Sequence, residues 1–230
     1  MGVIELSGNP PIAVTLRRSS RARRISLRLS GVDGRVTLTL PPRVPEREGM
    51  AFLREKESWL RGHLENRGEP VRIGLGAMLP IAGEPREIRP GSGRSVVLET
   101  GALLVPGPEE RIAARSLGYL KTLARERLAA ASDRYAAVLG KDYTRITLRD
   151  TRSRWGSCSS QGALSYSWRL ILAPPEVLDY VAAHEVAHLA HMNHSRAYWD
   201  TLTQIHGDWR APRRWLRENG GELHRYRFQD

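Results

Sequence analysis

Apolar and polar residues alternate with period two along IAVTL (12–16), RISLRLS (24–30) and RVTLTLP (35–41). Such alternation marks strands with one buried face. The Val32-Asp33-Gly34 turn between the last two predicts a β-hairpin. The period then lengthens. From Pro45 onward, Met50, Phe52, Leu53, Trp59, Leu60 and Leu64 recur at helical spacing and the pattern stops before Gly68 and Pro70, which predicts one helix. Gly- and Pro-punctuated strands follow through Val105. From Glu109 to Leu139 the chain is rich in Ala, Leu, Arg and Glu, predicting one long helix or a broken pair that ends at Gly140. RITLRD (145–150) and ALSYSWRLIL (163–172) have strand character and are joined by TRSRWGSCSSQG (151–162). PPEVLDYVAAHEVAHLAHM (174–192) reads as a helix with proline at its start and Glu176 in its first turn. Two further helical segments, 195–209 and 211–223, complete the chain.

This order predicts the α+β class. Residues 1–105 are expected to form an N-terminal β-rich subdomain, and residues 106–230 a region of long helices with a small antiparallel sheet. At 230 residues a core can form without disulfides, and Cys158, the single cysteine, excludes an intrachain one. No window approaches the roughly 18 apolar residues of a membrane span. The expectation is a soluble cytoplasmic protein with no membrane partner.

Charge changes the picture only a little. The chain carries 36 Lys and Arg against 25 Asp and Glu, a net +11, with pI near 10.6, and the excess is almost all arginine. A surplus of this size favours polyanions, so a nucleic-acid partner stays open. The densest cluster, Arg17–Arg24, reads as a charged strand edge that discourages aggregation or as a phosphate-binding strip.

HEVAHLAHMNH (184–194) holds four of the seven histidines. On a helix His184 and His188 lie one turn apart, within about 40° of each other, so both imidazoles can reach one ion. A glutamate directly after the first histidine is the arrangement in which it polarises a metal-bound water. Projected down the helix, Val177, Leu178, Val181, Ala182 and Leu189 form an apolar arc with Glu185 in its middle. A carboxylate facing a core costs several kcal/mol, which a neighbouring divalent ion offsets. Three protein ligands and one open position suit catalytic zinc. His191 and His194 compete for the third place. On a continuous helix His191 would lie about 10.5 Å along the axis from His184, whereas a chain reversal at Asn193 would return His194 across the metal. His194 is therefore preferred. Imidazole donors favour zinc, with nickel, cobalt or iron able to occupy the same ligands.

HEVAHLAHMNHSRAYW, preceded by SRWGSCSSQGALSYSWRLILAPPEVLDYVAAH and by RRSSRARRISLRLSGVDGRVTLTLPP, resembles the YgjP-like metallopeptidase family, a more distant relative of SprT-like and WLM zinc proteases. The resemblance runs from about Val14 to about Leu223. It implies a zincin-like catalytic region, His184, His188 and His194 as zinc ligands, and Glu185 as general base. It also places Arg154, Trp155, Gly156, Ser157 and Cys158 at the active-site rim. From residue chemistry alone, Trp155 could plug the core, Gly156 could form a turn or bulge, and Cys158 is a packed thiol. Arg154 is a candidate to stabilise developing negative charge, with Tyr166 and Tyr198 behind it. Trp155, Gly156, Ser157 and Tyr166 are the expected substrate-binding residues. A zinc-dependent peptidase acting on a peptide or protein is the first reading. A nucleotide phosphoanhydride hydrolase at the same metal, or a nucleic-acid-associated protein with secondary catalysis, are the alternatives.

Overall fold

A computed structural model describes residues 2–30, 34–65 and 68–228. They divide into two compact units, Met1–Glu69 and Pro70–Asp230.

In the first unit, β1 (Gly2–Leu6), β2 (Ile12–Arg18), β3 (Ser26–Leu29) and β4 (Val36–Leu40) form one sheet in the order β1-β2-β4-β3. The expected hairpin is present: β3 pairs antiparallel with β4, Leu27 opposite Leu38 and Leu29 opposite Val36. Its turn residues 31–33 lie outside the described residues. The alternating positions Val14, Leu16, Val36, Leu38 and Leu40 are buried, and α1 (Glu46–Glu55) and α2 (Glu57–Glu65) add Leu53 and Leu60 to the same core. The single helix expected here is interrupted at Lys56, whose backbone (φ −93°, ψ 6°) leaves the helical region. Leu53 and Leu60 stay seven residues apart in one core, so the apolar period does not register the break. Within the basic cluster, Arg18 has a structural task, donating to the carbonyls of Pro41, Pro42 and Val44 at 3.3, 3.1 and 2.8 Å.

The second unit begins with β5 (Val71–Arg72), followed by β6 (Met78–Ile81), β7 (Glu84–Pro90), β8 (Val97–Glu99) and β9 (Ala102–Val105). The last four form a sheet in the order β6-β7-β9-β8. Strands 71–105, expected with the N-terminal subdomain, thus belong to the second unit, and the boundary falls at 69/70 rather than 105/106. The reason is a shared core: Leu79, Ile81, Ile88, Leu103 and Val105 pack in one cluster with the helices that follow.

Helix α3 (Glu109–Leu139) is unbroken over 31 residues and ends on Gly140 in the left-handed conformation (φ 66°, ψ 34°), where glycine carries no Cβ penalty. Its buried stripe Ile112, Leu120, Ala124, Leu128, Ala131 and Tyr135 keeps helical spacing. Strands β10 (Arg145–Arg149), β11 (Gly156–Cys158) and β12 (Ala163–Ser167) form a sheet in the order β10-β12-β11. This small sheet, expected to be antiparallel, is mixed. β11 runs antiparallel to β12 and β10 parallel to it, because β11 turns back on the far side of β12 rather than between the two. Residues 168–172, read as a continuing strand, form a 3-10 turn instead. Ala82 and Gly83, which turn β6 into β7, donate to the carbonyls of Ile171 and Leu172 at 2.7 and 3.3 Å, and those backbone groups are thereby lost to a strand ladder.

Helix α4 (Pro175–Ala187) is buried nearly all round and packs along α3. α5 (Arg196–His206) and α6 (Arg210–Asn219) pack against it, followed by a 3-10 turn at Gly220–His224 and β13 (Tyr226–Arg227), which pairs parallel with β5. Among the described residues no helix is long and apolar enough to cross a membrane. Arg169, 7% exposed, clamps the C-terminal segment by donating to the carbonyls of Leu223 and Tyr226 at 3.0 and 3.1 Å and to both oxygens of Asp150 at 2.6 and 3.0 Å. Replacing it by methionine keeps the stem and removes these charge-assisted bonds, so Arg169→Met is expected to lose about 3 kcal/mol of stability. A shifted denaturant midpoint at unchanged m-value checks this.

Candidate metal centre

The candidate metal-binding side chains start from the end of α4. His184 sits in its last turn and His188 is its C-cap residue, still near helical backbone (φ −66°, ψ −17°). The helix was expected to run to Asn193 and reverse there through a left-handed residue. It stops earlier: the N–H groups of Leu189, Ala190 and His191 bond to the carbonyls of Val186, Ala187 and Ala187 at 2.9, 3.1 and 3.2 Å and tighten the chain into a turn. A side chain locks that turn, because His188 Nδ1 lies 2.9 Å from the His191 carbonyl oxygen. Asn193 has another task, its Oδ1 accepting from the Ser195 N–H at 3.2 Å just before α5. The reversal carries His194 back over His184, as anticipated, by a different route.

The three rings converge. One nitrogen from each of His184, His188 and His194 lies within 4.8 Å of the others, and His184 Nε2 faces His194 Nε2 at 3.2 Å. Their partners define the tautomers. A carbonyl can only accept, so His188 carries its proton on Nδ1 and leaves Nε2 with a free lone pair. Tyr198 Oη donates to the His184 carbonyl at 3.0 Å and therefore accepts from His184 Nδ1 at 2.7 Å; His184 Nε2 is likewise free. Burial, reinforced by the neighbouring His188 and His194, pushes the His184 pKa down to about 3. Burial and His188 also lower that of His194. Both rings are neutral at physiological pH, as metal ligation requires.

Glu185 is 5% exposed, and burial pushes its carboxyl pKa up to about 8, with the charge of Arg154 opposing the rise. Gly156 in β11 makes room for it. A Cβ there would lie 2.5 Å from Glu185 Oε1 and 2.6 Å from its Cγ. The glycine, read from sequence as a turn or bulge, is needed for this close approach within a regular strand, where it pairs opposite Tyr166.

The other anticipated residues separate into two groups. Arg154 is exposed just before β11, close enough to act on Glu185, and Ser157 pairs with Ser165 in the same sheet. Trp155 is an anchor: its ring packs on His224 with centroids 5.2 Å apart and against Gly220, and its carbonyl accepts from the Ser167 N–H at 2.8 Å. Tyr166 does not reach the rim. It is 1% exposed, and its hydroxyl meets Ser132 Oγ of α3 at 3.0 Å, because it shares the inward face of β12 with Leu164. Cys158 is half-buried, and burial together with Glu185 pushes its thiol up to about 11, so it is no activated nucleophile. His191 offers its backbone carbonyl to His188 and is not among the converging nitrogens.

Two residues were missed or misplaced. Tyr198 packs against the rings of His184, His188 and His194 and orients the first, whereas its sequence position suggested only a place behind Arg154. Arg213 lies over the rings of Trp199 and Trp209, 5.0 and 5.5 Å from their centroids, and its charge reaches His184 and His194. No motif in the sequence marks it.

A family model described as YgjP-like, metallopeptidase domain, matches residues 23–219. The chain belongs to the YgjP-like metallopeptidase family. This YgjP-like chain is accordingly a metal-dependent hydrolase. Among solved structures it is similar to the metallopeptidase zymogen of Pyrococcus abyssi abylysin, at 18% identity over 40% of this chain and 92% of that one, with a TM-score of 0.36; at that score the likeness carries no fold argument. No curated protein matches the YgjP-like chain.

The geometry separates the two candidates for third ligand. His194→Ala is expected to purify with little bound metal, while His191→Ala, which keeps its backbone carbonyl, retains a full equivalent; metal analysis of the two proteins reads the difference. Tyr198→Phe frees the His184 tautomer and is expected to weaken metal affinity about 10- to 100-fold, measured by competition with a chelator.

Proposed function

We propose that this protein hydrolyses peptide bonds in peptide or protein substrates, with zinc held by His184, His188 and His194 and with Glu185 as general base. One observation carries the reading: three imidazoles turn a nitrogen each towards a common point, His184 Nε2 and His194 Nε2 3.2 Å apart, and the residue after His184 is a buried glutamate. Lone pairs facing each other at that distance repel unless a cation or proton lies between them. A tetrahedral zinc with bonds of about 2.05 Å separates its nitrogen ligands by about 3.3 Å, and an all-imidazole donor set suits zinc. The His184–His194 pair matches that separation, and the third nitrogen, from His188, lies within 4.8 Å of both. Zinc bound there supplies Lewis acidity, lowering the pKa of a water and polarising the scissile carbonyl.

The chain supplies the proton handling and the alignment. A carboxylate oxygen of Glu185 takes the proton of the attacking water and returns it to the departing amine nitrogen. The sheet order leaves one edge of β11 unpaired among the described residues, so an extended peptide can lie along Gly156–Cys158 as an added strand. In this arrangement Gly156 and Ser157 present backbone groups, Trp155 holds the start of the strand, and the exposed Arg154 faces negative charge developing on the carbonyl oxygen. Tyr166, buried behind β12, takes no part. The family match favours a peptide or protein substrate over a nucleotide or nucleic acid.

Glu185→Gln is expected to retain zinc and lose about 10²- to 10⁴-fold in turnover of a casein-type substrate. Normal activity in that variant would remove glutamate from the mechanism. Gly156→Ala forces the carboxylate aside and is expected to lower kcat up to about 10²-fold at unchanged metal content, compared under the same assay.

A further inference from the structure

A second concave feature lies on the other edge of the same sheet. Lys121, Thr122 and Arg125 of α3, Leu148, Arg149 and Asp150 of β10 and its end, and Trp168 enclose a recess of about 350 Å³. It shares no lining residue with the metal centre, and this volume is at the small end of ligand sites.

Its charge is unbalanced. Lys121 and Arg125 stand one helical turn apart on α3 and repel each other, and Arg149 adds a third cation from the strand. The acid in the recess is already committed: both Asp150 oxygens accept from Arg169, at 2.6 and 3.0 Å, and its pKa is lowered. No described carboxylate forms an ion pair with Lys121, Arg125 or Arg149. Arg125 reaches only the Ile146 carbonyl, at 3.4 Å. The walls are fixed independently of any ligand. β10 is paired along its whole length with β12, and the Trp168 ring is held between the Arg169 guanidinium at 4.7 Å and the edge-on Phe228 ring at 5.4 Å. Both contacts occupy the indole, and the lining offers no second aromatic ring on which a base could stack. Three exposed cations without an ion-pair partner line one small recess, and such a lining suits compact multiple negative charge.

We propose that this recess binds a compact phosphate-bearing anion of diphosphate size, held by Lys121, Arg125 and Arg149. The assignment is independent of the peptidase reading, since it uses none of the metal-site residues.

Calorimetric titration of the full-length, zinc-loaded protein with inorganic pyrophosphate tests it. One equivalent is expected to bind, and each of Lys121→Glu, Arg125→Glu and Arg149→Glu is expected to weaken binding about 10- to 100-fold. Arg125→Gln, which keeps the stem, gives a smaller loss and serves if a charge reversal fails to fold. Pyrophosphate can also ligate zinc, so His188→Ala is the control, and it is expected to leave recess binding intact. Binding that His188→Ala abolishes while the charge reversals leave it unchanged would put the anion on the metal and overturn the proposal, as would no binding at all. A short single-stranded oligonucleotide that binds through these three cations when pyrophosphate does not would assign the recess to a polynucleotide backbone, again overturning it.

Discussion

Two imidazoles and a carboxylate ride on a helix whose remaining side chains are almost entirely out of water, and polar groups at that depth must each be satisfied locally. α4 is buried on nearly every side, so the elements around it do more than cover apolar surface. α5 brings Tyr198 to His184, the turn after α4 brings a carbonyl to His188, and β11 brings the glycine that Glu185 needs. The packing of the second unit and the arrangement of its chemistry are one problem. An element that shifted by an ångström would leave a buried nitrogen or oxygen without its partner.

The same constraint explains which parts were legible in the sequence. The spacing of His184, Glu185 and His188 was readable because helical geometry fixes relative directions over a single turn, and the apolar arc around Glu185 correctly announced a buried carboxylate. Gly140 at the end of α3 and the β3–β4 hairpin were readable for the same reason, since each depends on neighbours a few residues away. The return of His194 was anticipated, yet its cause was not. The helix stops because a histidine side chain supplies a hydrogen bond to a carbonyl three residues on, and no propensity scale includes that bond.

What escaped depends on contacts distant in sequence. Tyr166 is expected among the substrate-binding residues, although its period-two relation to Leu164 places it on an inward face; the partner that satisfies its hydroxyl, Ser132, lies 34 residues away on α3. Strands 71–105 look like the first unit by composition and belong to the second through their core. Residues 168–172 have β-rich apolar composition and form a 3-10 turn because another turn takes two of their carbonyls. In each case the local pattern identified a buried segment and left open what it is buried against.

The electrostatics of the metal centre then follow from burial together with charge placement. Without an ion, Glu185 sits in low dielectric with Arg154 as its opposing charge, and its carboxyl is held near 8, so much of it is protonated at neutral pH. A dication held among the three imidazoles would act against that burial and return the group towards its ionised form, and in the proposed mechanism Glu185 would become competent as a base only then. Arg154 and Arg213 add further positive potential around the same point. A neutral peptide gains little from this field in its ground state. In the proposed mechanism an oxygen acquiring negative charge would gain a great deal, because charges already in position need no reorganisation. Burial that would be a cost for a resting carboxylate therefore becomes, in a filled site, the condition under which the surrounding cations act most strongly.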